Sequence, residues 1–295
     1  MKLFVLIIML FFSGTVAYAQ TLPVQENEHV ISEAVVSLTA EEKQWISEHP
    51  LITATNKMDS SPNEFVRAGE AAGFSVDYLN LIAENVGLKI EYVNGYSWSE
   101  LITQLEERKI DVSHNIFQTN ERTEYLNFTD PYVYLPHAIF KNTGSENYSN
   151  DESFEGKSIG ISADWAATKD YKKNNPDLSF IDFNTPVEGL LSLSEGNIDL
   201  YIGSRATMFS LINKNFISNL DVINSTKLLT LSQGYEGRIA ARNDWPLLIN
   251  IIKKGKAAIS EQQLSQLLQK WQMPYGMANE INLTEEEKVW LSEHQ

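Results

Sequence analysis

Short strand patterns alternate with amphipathic helix patterns along the chain from Leu51 onward. The segments LITAT and KIEYV have the composition of strands, and between them Leu79, Ile82 and Val86 recur at helical spacing before Gly87. A capped helix, SWSELITQLEERK, and a further strand, IDVSHNI, come next. This βαβαβ succession predicts a parallel sheet with helices packed against it.

A second unit of the same kind follows the polar stretch NTGSENYSNDES. Its strand patterns are KSIGIS, LSFIDF and IDLYIG, and Thr185 with Glu188 forms a capping box at the start of one of its helices. Two extended segments, YVYLPHAIFKN and GYEGRIAARND, lie on either side of it. We therefore predict an α/β fold with two lobes joined by a two-strand hinge. Lobe 1 would span about 51–137 and 243–275, and lobe 2 about 143–235, with a ligand cleft at the carboxyl ends of the strands.

The N-terminus has the pattern of a secretory signal peptide. Lys2 precedes an apolar run at 3–12, and a small-residue cleavage site follows at Ala19. We predict a signal peptide at 1–19, a leader with one short helix at 20–50, and a periplasmic mature protein. A membrane anchor is the alternative, although the apolar run is short for a bilayer span.

Charge and motifs exclude several classes of function. The net charge of −16 argues against a nucleic acid or an anionic membrane surface as partner. The chain has no cysteine, its five histidines show no metal-binding spacing, and it lacks the common nucleotide-binding and hydrolase motifs. We expect no metal, no cofactor and no catalytic residue. His114 lies near a predicted strand end, where it could be a core residue, part of a ligand wall or a catalytic group.

The order of segments resembles the extracytoplasmic solute-binding proteins of family 3, the Venus-flytrap domains that bind amino acids and similar solutes. The resemblance covers about 51–273 and is carried by GFSVDYLNLIAENVGLKIEYV, SWSELITQLEERKIDV, TNERTEYLNFTDPY and EGLLSLSEGNIDLYIG. It implies the type II periplasmic-binding-protein fold at 51–275. It also implies reversible binding of a small solute by closure of the hinge.

The resemblance also implies which residues contact the ligand. Arg122, with Thr119 beside it, matches the arginine that grips the ligand carboxylate, and Asn56 matches a polar contact of the first lobe. Amino-acid binders of the family usually carry an aspartate after the strand matching IDLYIG, and it holds the ligand ammonium. Ser204 occupies that place here and Arg205 follows it. A ligand without an ammonium group, or one held in another way, is therefore a possible interpretation.

Aromatic residues near predicted strand ends are further candidates for the cleft wall. They are Phe65, Tyr96, Trp98 and Trp165. Trp165 lies in ADWA, which replaces a Gly-Thr-Thr-like turn of the family, and Trp98 could instead pack its helix against the sheet.

One segment occurs twice in the chain. LTAEEKQWISEHP begins at Leu38, and LTEEEKVWLSEHQ occupies 283–295. Similar helices introduce tandem flytrap domains in bacterial sensor proteins, so we expect 283–295 to start a second, truncated repeat. The identical polar letters argue against the alternative, in which both helices only pack together.

This pattern favours a sensor domain of a signalling receptor, with a membrane receptor as partner. Two alternatives remain. One is a substrate-binding protein of an ABC-type amino-acid transporter, which would deliver its solute to a permease. The other is an enzyme on the same fold, such as a dehydratase.

Overall fold

The alternating segments of the sequence form two open sheets and a small hairpin sheet. The computed structural model describes residues 36–145, 148, 154–163, 165–223 and 236–271. In chain order, the strands are β1 (Leu51–Thr55), β2 (Asp59–Ser60), β3 (Glu64–Arg67), β4 (Glu70–Ala72), β5 (Lys89–Val93), β6 (Val112–Ile116), β7 (Leu126–Phe128), β8 (Val133–Tyr134), β9 (His137–Asn142), β10 (Ser158–Ser162), β11 (Ser179–Phe183), β12 (Leu200–Ser204), β13 (Leu220–Ile223) and β14 (Glu236–Arg242). The helices are α1 (Ala40–Glu48), α2 (Phe74–Val86), α3 (Trp98–Glu106), α4 (Ala166–Asn174), α5 (Pro186–Ser194), α6 (Arg205–Lys214), α7 (Pro246–Ala257) and α8 (Glu261–Lys270).

The first sheet has the order β5-β1-β6-β14-β7, and β8 pairs with β14. β1 pairs in parallel with β5 and β6, which confirms the predicted βαβαβ unit. β14 runs antiparallel to β6 and β7, so the chain returns to this sheet after the second one. We call this sheet and its helices lobe 1.

The second sheet has the order β11-β10-β12-β9-β13. β10 pairs in parallel with β11 and β12, and β9 and β13 complete the sheet in antiparallel pairs. The predicted capping box is present at the start of α5, where the Thr185 side chain accepts from the backbone N–H of Glu188. We call this sheet and its helices lobe 2, and the fold is the predicted two-lobed α/β fold.

The extended segments that flank lobe 2 are themselves strands of the two sheets. β8 and β9 are separated only by Leu135 and Pro136, so the first crossing between lobes is short. β9 belongs to the second sheet and β14 to the first. The chain between β13 and β14, residues 224–235, lies outside the described residues.

A three-stranded sheet, β2-β3-β4, connects β1 to α2 and was not predicted. It ends at Gly73, whose φ of +133° is unfavourable for other residues. A Cβ atom there would lie 2.3 Å from the backbone oxygen of Asn63. The glycine therefore permits the close approach between this hairpin sheet and the start of α2.

The helix predicted from Thr39 forms α1 and packs against lobe 1. Its capping box is complete, and buried Glu42 accepts a hydrogen bond from Lys254 of α7 at 2.6 Å. Trp45 is also buried and contacts the edge of the Trp245 ring at a centroid distance of 5.5 Å. The predicted signal peptide 1–19 and the repeat copy 283–295 lie outside the described residues. Among the helices in the described ranges, none is long and apolar enough to span a membrane.

Candidate functional site

A cavity of about 400 Å³ lies between the two lobes, at the carboxyl ends of their strands. Lobe 1 contributes the segments after β1, β5 and β6, and lobe 2 contributes the ends of β10 and β12 and the starts of α5 and α6. This is where open α/β sheets bind ligands, because the loops and helix N-termini converge there. The lining residues are Lys57, Met58, Asp59, Ser60, Asn63, Gly95, Tyr96, Ser97, Trp98, Asn115, Ile116, Phe117, Arg122, Leu135, Ser162, Trp165, Asn184, Thr185, Pro186, Gly203, Ser204, Thr207 and Met208.

Arg122 reaches the cavity from a short 3-10 helix, Arg122–Glu124, that follows β6. The residue is 8% exposed, and its Nη1 donates to the backbone oxygen of Phe117 at 2.8 Å. Burial holds the pKa of Arg122 below its usual value, although Tyr125 and Glu121 act in the opposite direction. In the described ranges, no carboxylate lies within 4.0 Å of this guanidinium. The group is therefore a fixed, mostly dehydrated cation with donors left for a ligand.

A buried ion pair lies beside the same cavity. Lys57 Nζ is 2.8 Å from Oε1 of Glu64, whose side chain is fully buried. Asn115 Nδ2 donates to the same oxygen at 3.2 Å. Burial opposes ionisation of Glu64, but the charge and hydrogen bonds of Lys57 hold the pKa of Glu64 below its usual value. Lys57 is thus neutralised within the protein, unlike Arg122.

His114 belongs to the core of lobe 1 and does not line the cavity. It is fully buried, and its Nε2 lies 3.8 Å from Oε2 of Glu64. Burial lowers the pKa of His114 to about 4, so the imidazole is neutral at pH 7. Of the three roles that the sequence left open for His114, its position agrees with that of a core residue.

Aromatic side chains wall the cavity from both lobes. Trp98, at the start of α3, has Lys57 Nζ 4.2 Å from its ring centroid and the Arg122 guanidinium carbon 5.8 Å from it. Trp98 also packs against the core under α3, so it has both of the roles considered for it. Trp165 faces the cavity from lobe 2, where its ring meets His137 edge-on at 4.2 Å. Tyr96 lines the cavity and is 44% exposed.

Helix starts form much of the wall on lobe 2. Ser204 is the N-cap residue of α6, but its side chain does not cap the helix, and its Oγ is buried without a hydrogen-bond partner. Thr207, one turn further on, is 5% exposed and also lines the cavity. The free N–H groups of a helix start favour a partial negative charge.

Three predicted contact residues lie away from the cavity wall. Asn56 is buried and donates to Asn94 Oδ1 at 2.7 Å, which fixes the loops after β1 and β5. Phe65 packs edge-on against Trp271 at a centroid distance of 5.8 Å and does not line the cavity. Thr119 Oγ1 accepts from the backbone N–H of Arg122 at 3.2 Å, so it positions Arg122 without reaching the cavity itself.

Arg205 likewise does not line the cavity. Its guanidinium carbon lies 5.4 Å from the ring centroid of Phe209 on the same helix. The described residues also contain no group of three or more acidic or histidine side chains that could hold a metal ion.

Comparison with known proteins agrees with this geometry. The model of the bacterial extracellular solute-binding proteins, family 3, matches residues 52–274. The chain belongs to this family. Members of the family are extracytoplasmic, and their fold is that of solute-binding and sensor domains.

Relatives of this family 3 domain include both sensors and binding proteins. The chain is 22% identical over 83% of its length to the Virulence sensor protein BvgS of Bordetella pertussis, and it covers 20% of that protein. The "Probable amino-acid-binding protein YxeM" of Bacillus subtilis is 25% identical over 52% of the chain and 60% of the relative. The crystal structure of the Bordetella pertussis BvgS periplasmic VFT2 domain has a TM-score of 0.67 at 21% identity, covering 80% of this chain and 99% of that one. This chain thus spans about a fifth of the length of the sensor protein.

Proposed function

We propose that this family 3 domain binds a small carboxylate-bearing solute between its lobes, with Arg122 as the carboxylate anchor. The observation that carries the proposal is the mostly buried guanidinium of Arg122, which lines the cavity and has no carboxylate partner in the described ranges. A planar guanidinium binds a carboxylate through two parallel hydrogen bonds, which supplies both affinity and orientation.

The other residues of the cavity wall lie on both lobes and could enclose such a solute when the lobes close. Trp98 and Trp165 offer flat apolar surfaces from opposite lobes, and Ser204 with Thr207 offers polar groups at a helix start. A ligand held by Arg122 on lobe 1 would complete its contacts only when lobe 2 closes on it. Ligand binding would thereby favour the closed arrangement.

We further propose that the domain is the sensing part of a larger periplasmic receptor, exported by a signal peptide at 1–19. The match to BvgS covers 83% of the chain, whereas the match to YxeM covers 52%. The repeated segment at 283–295 supports a tandem arrangement. A transport-type binding protein that serves a permease is the second candidate, favoured by the match to YxeM. We also propose that the solute-binding domain spans residues 51–275.

A thermal-unfolding panel tests the ligand proposal. Amino acids, keto acids and dicarboxylates are added to the purified domain, and a ligand at about 100 times its Kd should stabilise it by about 2.7 kcal/mol. Arg122→Ala should abolish the shift, whereas Arg67→Ala removes an exposed arginine outside the cavity and should preserve it. A carboxylate hit that survives Arg122→Ala contradicts the anchor role.

The receptor proposal has a separate test. An antibody raised against the domain is used on extracts of cells that express the native gene. A membrane-associated band far above 33.4 kDa supports a receptor. A periplasmic band near that mass supports the transport alternative.

A further inference from the structure

Two methionines line the cavity within the described residues, and they differ sharply in their exposure. Met58, between β1 and β2, is 44% exposed, whereas Met208 of α6 is 3% exposed. A Cβ atom added to Gly203 would lie 3.0 Å from the Met208 sulfur, so this sulfur packs directly against the backbone of β12. Of the two, Met58 is therefore the methionine that a small reagent in solvent can reach.

The sulfur of Met58 connects two loops of lobe 1. Met58 Sδ accepts a hydrogen bond from the backbone N–H of Gly95, in the loop after β5, at 3.1 Å. The backbone oxygen of Met58 accepts from the N–H of Val66 at 3.1 Å, which holds the residue against the hairpin sheet. Gly95 also lines the cavity, so the bond to the sulfur lies in the cavity wall. This bond engages one lone pair of the sulfur and leaves the other for chemistry.

A thioether sulfur with an available lone pair reacts with peroxides to form methionine sulfoxide. The lone pair attacks one oxygen of hydrogen peroxide, the O–O bond breaks and an S–O bond forms. The sulfur is oxidised by two electrons, and the other peroxide oxygen takes the proton of the transferred hydroxyl and leaves as water. Because Gly95 occupies one lone pair of Met58, the new oxygen forms on the other one. It cannot then accept from the N–H of Gly95 unless the side chain moves.

We propose that Met58 is an oxidation-sensitive site of the cleft, at which conversion to methionine sulfoxide weakens solute binding. The inference rests on the proposed function and adds a form of regulation to it. Oxidation turns an apolar, adaptable part of the wall into a polar group that requires hydrogen-bond donors. Closure of the lobes on a solute would remove water from this group, which costs free energy. Lys57 precedes Met58, and its Nζ lies 4.2 Å from the ring centroid of Trp98, so the change falls beside a surface proposed to contact the solute.

Peptide mapping tests the selectivity of the oxidation without any ligand. The folded domain is treated with hydrogen peroxide, quenched and digested with trypsin, which releases Met58 in the peptide 58–67 and Met208 in the peptide 206–214. Met58 should be oxidised at least about tenfold faster than Met208, because only Met58 is exposed. In urea, where the chain is unfolded, the two rates should agree within about twofold. Equal rates in the folded domain overturn the assignment of the site.

Isothermal titration calorimetry tests the consequence for binding. The probes are the standard L-amino acids, pyruvate, 2-oxoglutarate and succinate, each titrated into treated and untreated domain. For a probe that binds the untreated domain, oxidation should raise the Kd at least about fivefold. Incubation with methionine sulfoxide reductases for both epimers should restore the original Kd. In Met58→Leu, which keeps an apolar side chain, peroxide should change the Kd less than about twofold, whereas Met208→Leu should respond to peroxide like the wild type.

The outcomes separate this inference from the proposed function. If Met58 is oxidised but the Kd changes less than about twofold, the regulatory role is wrong and solute binding stands. A loss of affinity that persists in Met58→Leu, or that the reductases do not reverse, assigns the effect to another residue and overturns the role of Met58. If no probe binds the untreated domain, the proposed function fails and the regulation of binding fails with it. Matching urea unfolding curves of treated wild type, untreated wild type and Met58→Leu show that the changes in Kd do not come from unfolding.

Discussion

The ion pair between Lys57 and Glu64 provides the sharpest test of the electrostatics at the cleft. Glu64 is fully buried, and the Lys57 side chain is 24% exposed. At 2.8 Å and an effective dielectric constant of about 20, their attraction is about 6 kcal/mol. Lys57→Met removes the cation but keeps a backbone N–H and Asn115 as hydrogen-bond donors to Glu64. We expect the free energy of unfolding at pH 7 to fall by about 3–5 kcal/mol, the usual cost of leaving a buried charge unpaired.

Removing the other partner, Glu64, should lower the free energy of unfolding by less. Glu64→Gln keeps the shape of the side chain, and the partly exposed Lys57 can turn toward solvent, so we expect a loss of about 1–2 kcal/mol. The double variant should be more stable than Lys57→Met alone, because it no longer contains the unpaired carboxylate. Urea unfolding followed by tryptophan fluorescence measures all three variants. If Lys57→Met costs no more than Glu64→Gln, Glu64 does not behave as a buried charge and the reasoning is wrong.

The same variants should differ in their dependence on pH. In the wild type, the pKa of Glu64 in the folded state is lowered, so the pair stabilises the protein above the unfolded pKa of about 4.3, and this stabilisation is lost as the pH falls through the folded value. In Lys57→Met, burial is opposed by fewer groups, and we expect the folded pKa to rise above the unfolded value. The loss in free energy of unfolding of Lys57→Met relative to the wild type should then be small below pH 4 and should grow as the pH rises. A penalty that is independent of pH between 4 and 7 contradicts this account.

Three further predictions concern packing and closure. Trp45→Ala should lower the free energy of unfolding by about 3 kcal/mol in urea titrations, because it empties the contact between α1 and lobe 1. Gly73→Ala should cost about 3 kcal/mol or more, since its Cβ would lie 2.3 Å from a backbone oxygen at a positive φ, whereas Gly87→Ala at φ +81° with open space around it should cost only about 1 kcal/mol. Lys169→Ala breaks a 3.3 Å ion pair with Glu121 between the lobes, but both side chains are mostly exposed, so ligand affinity by calorimetry should change by less than about threefold.

The parts of the fold that the sequence predicted are those that local patterns determine. β1, α2, β5, α3 and β6 follow from hydrophobic periodicity and capping residues, which act over a few neighbouring positions. The hairpin sheet β2-β3-β4 was missed because its strands have two to four residues and no regular alternation. Because the hairpin was missed, the sequence predicted Phe65 as a cavity residue, whereas its ring packs against Trp271 and Asp59 of the same hairpin lines the cavity.

Long-range contacts account for the rest of the site. The family resemblance points to Arg122 and Ser204, and the position near a predicted strand end points to Trp165. The structure brings all three to the cavity wall. The group of Lys57, Glu64 and Asn115 had no local signal, because Asn115 joins the pair from 51 positions away. In the sequence alone, a lysine and a glutamate seven positions apart do not indicate that either side chain is buried.

The contacts of α1 change the interpretation of the repeated segment. In the sequence alone, the identical polar residues argue against packing, but Glu42 is buried and accepts a hydrogen bond from Lys254, so packing accounts for one of them. Trp45 and His49 stack at 4.4 Å and both meet the ring of Trp245. The segment 283–295 repeats the threonine, glutamate, tryptophan and histidine of this contact at the same spacing. The residue types by which α1 contacts Lys254 and Trp245 therefore recur there in sequence. Lys43, by contrast, is exposed on α1, so packing does not account for its recurrence at position 288.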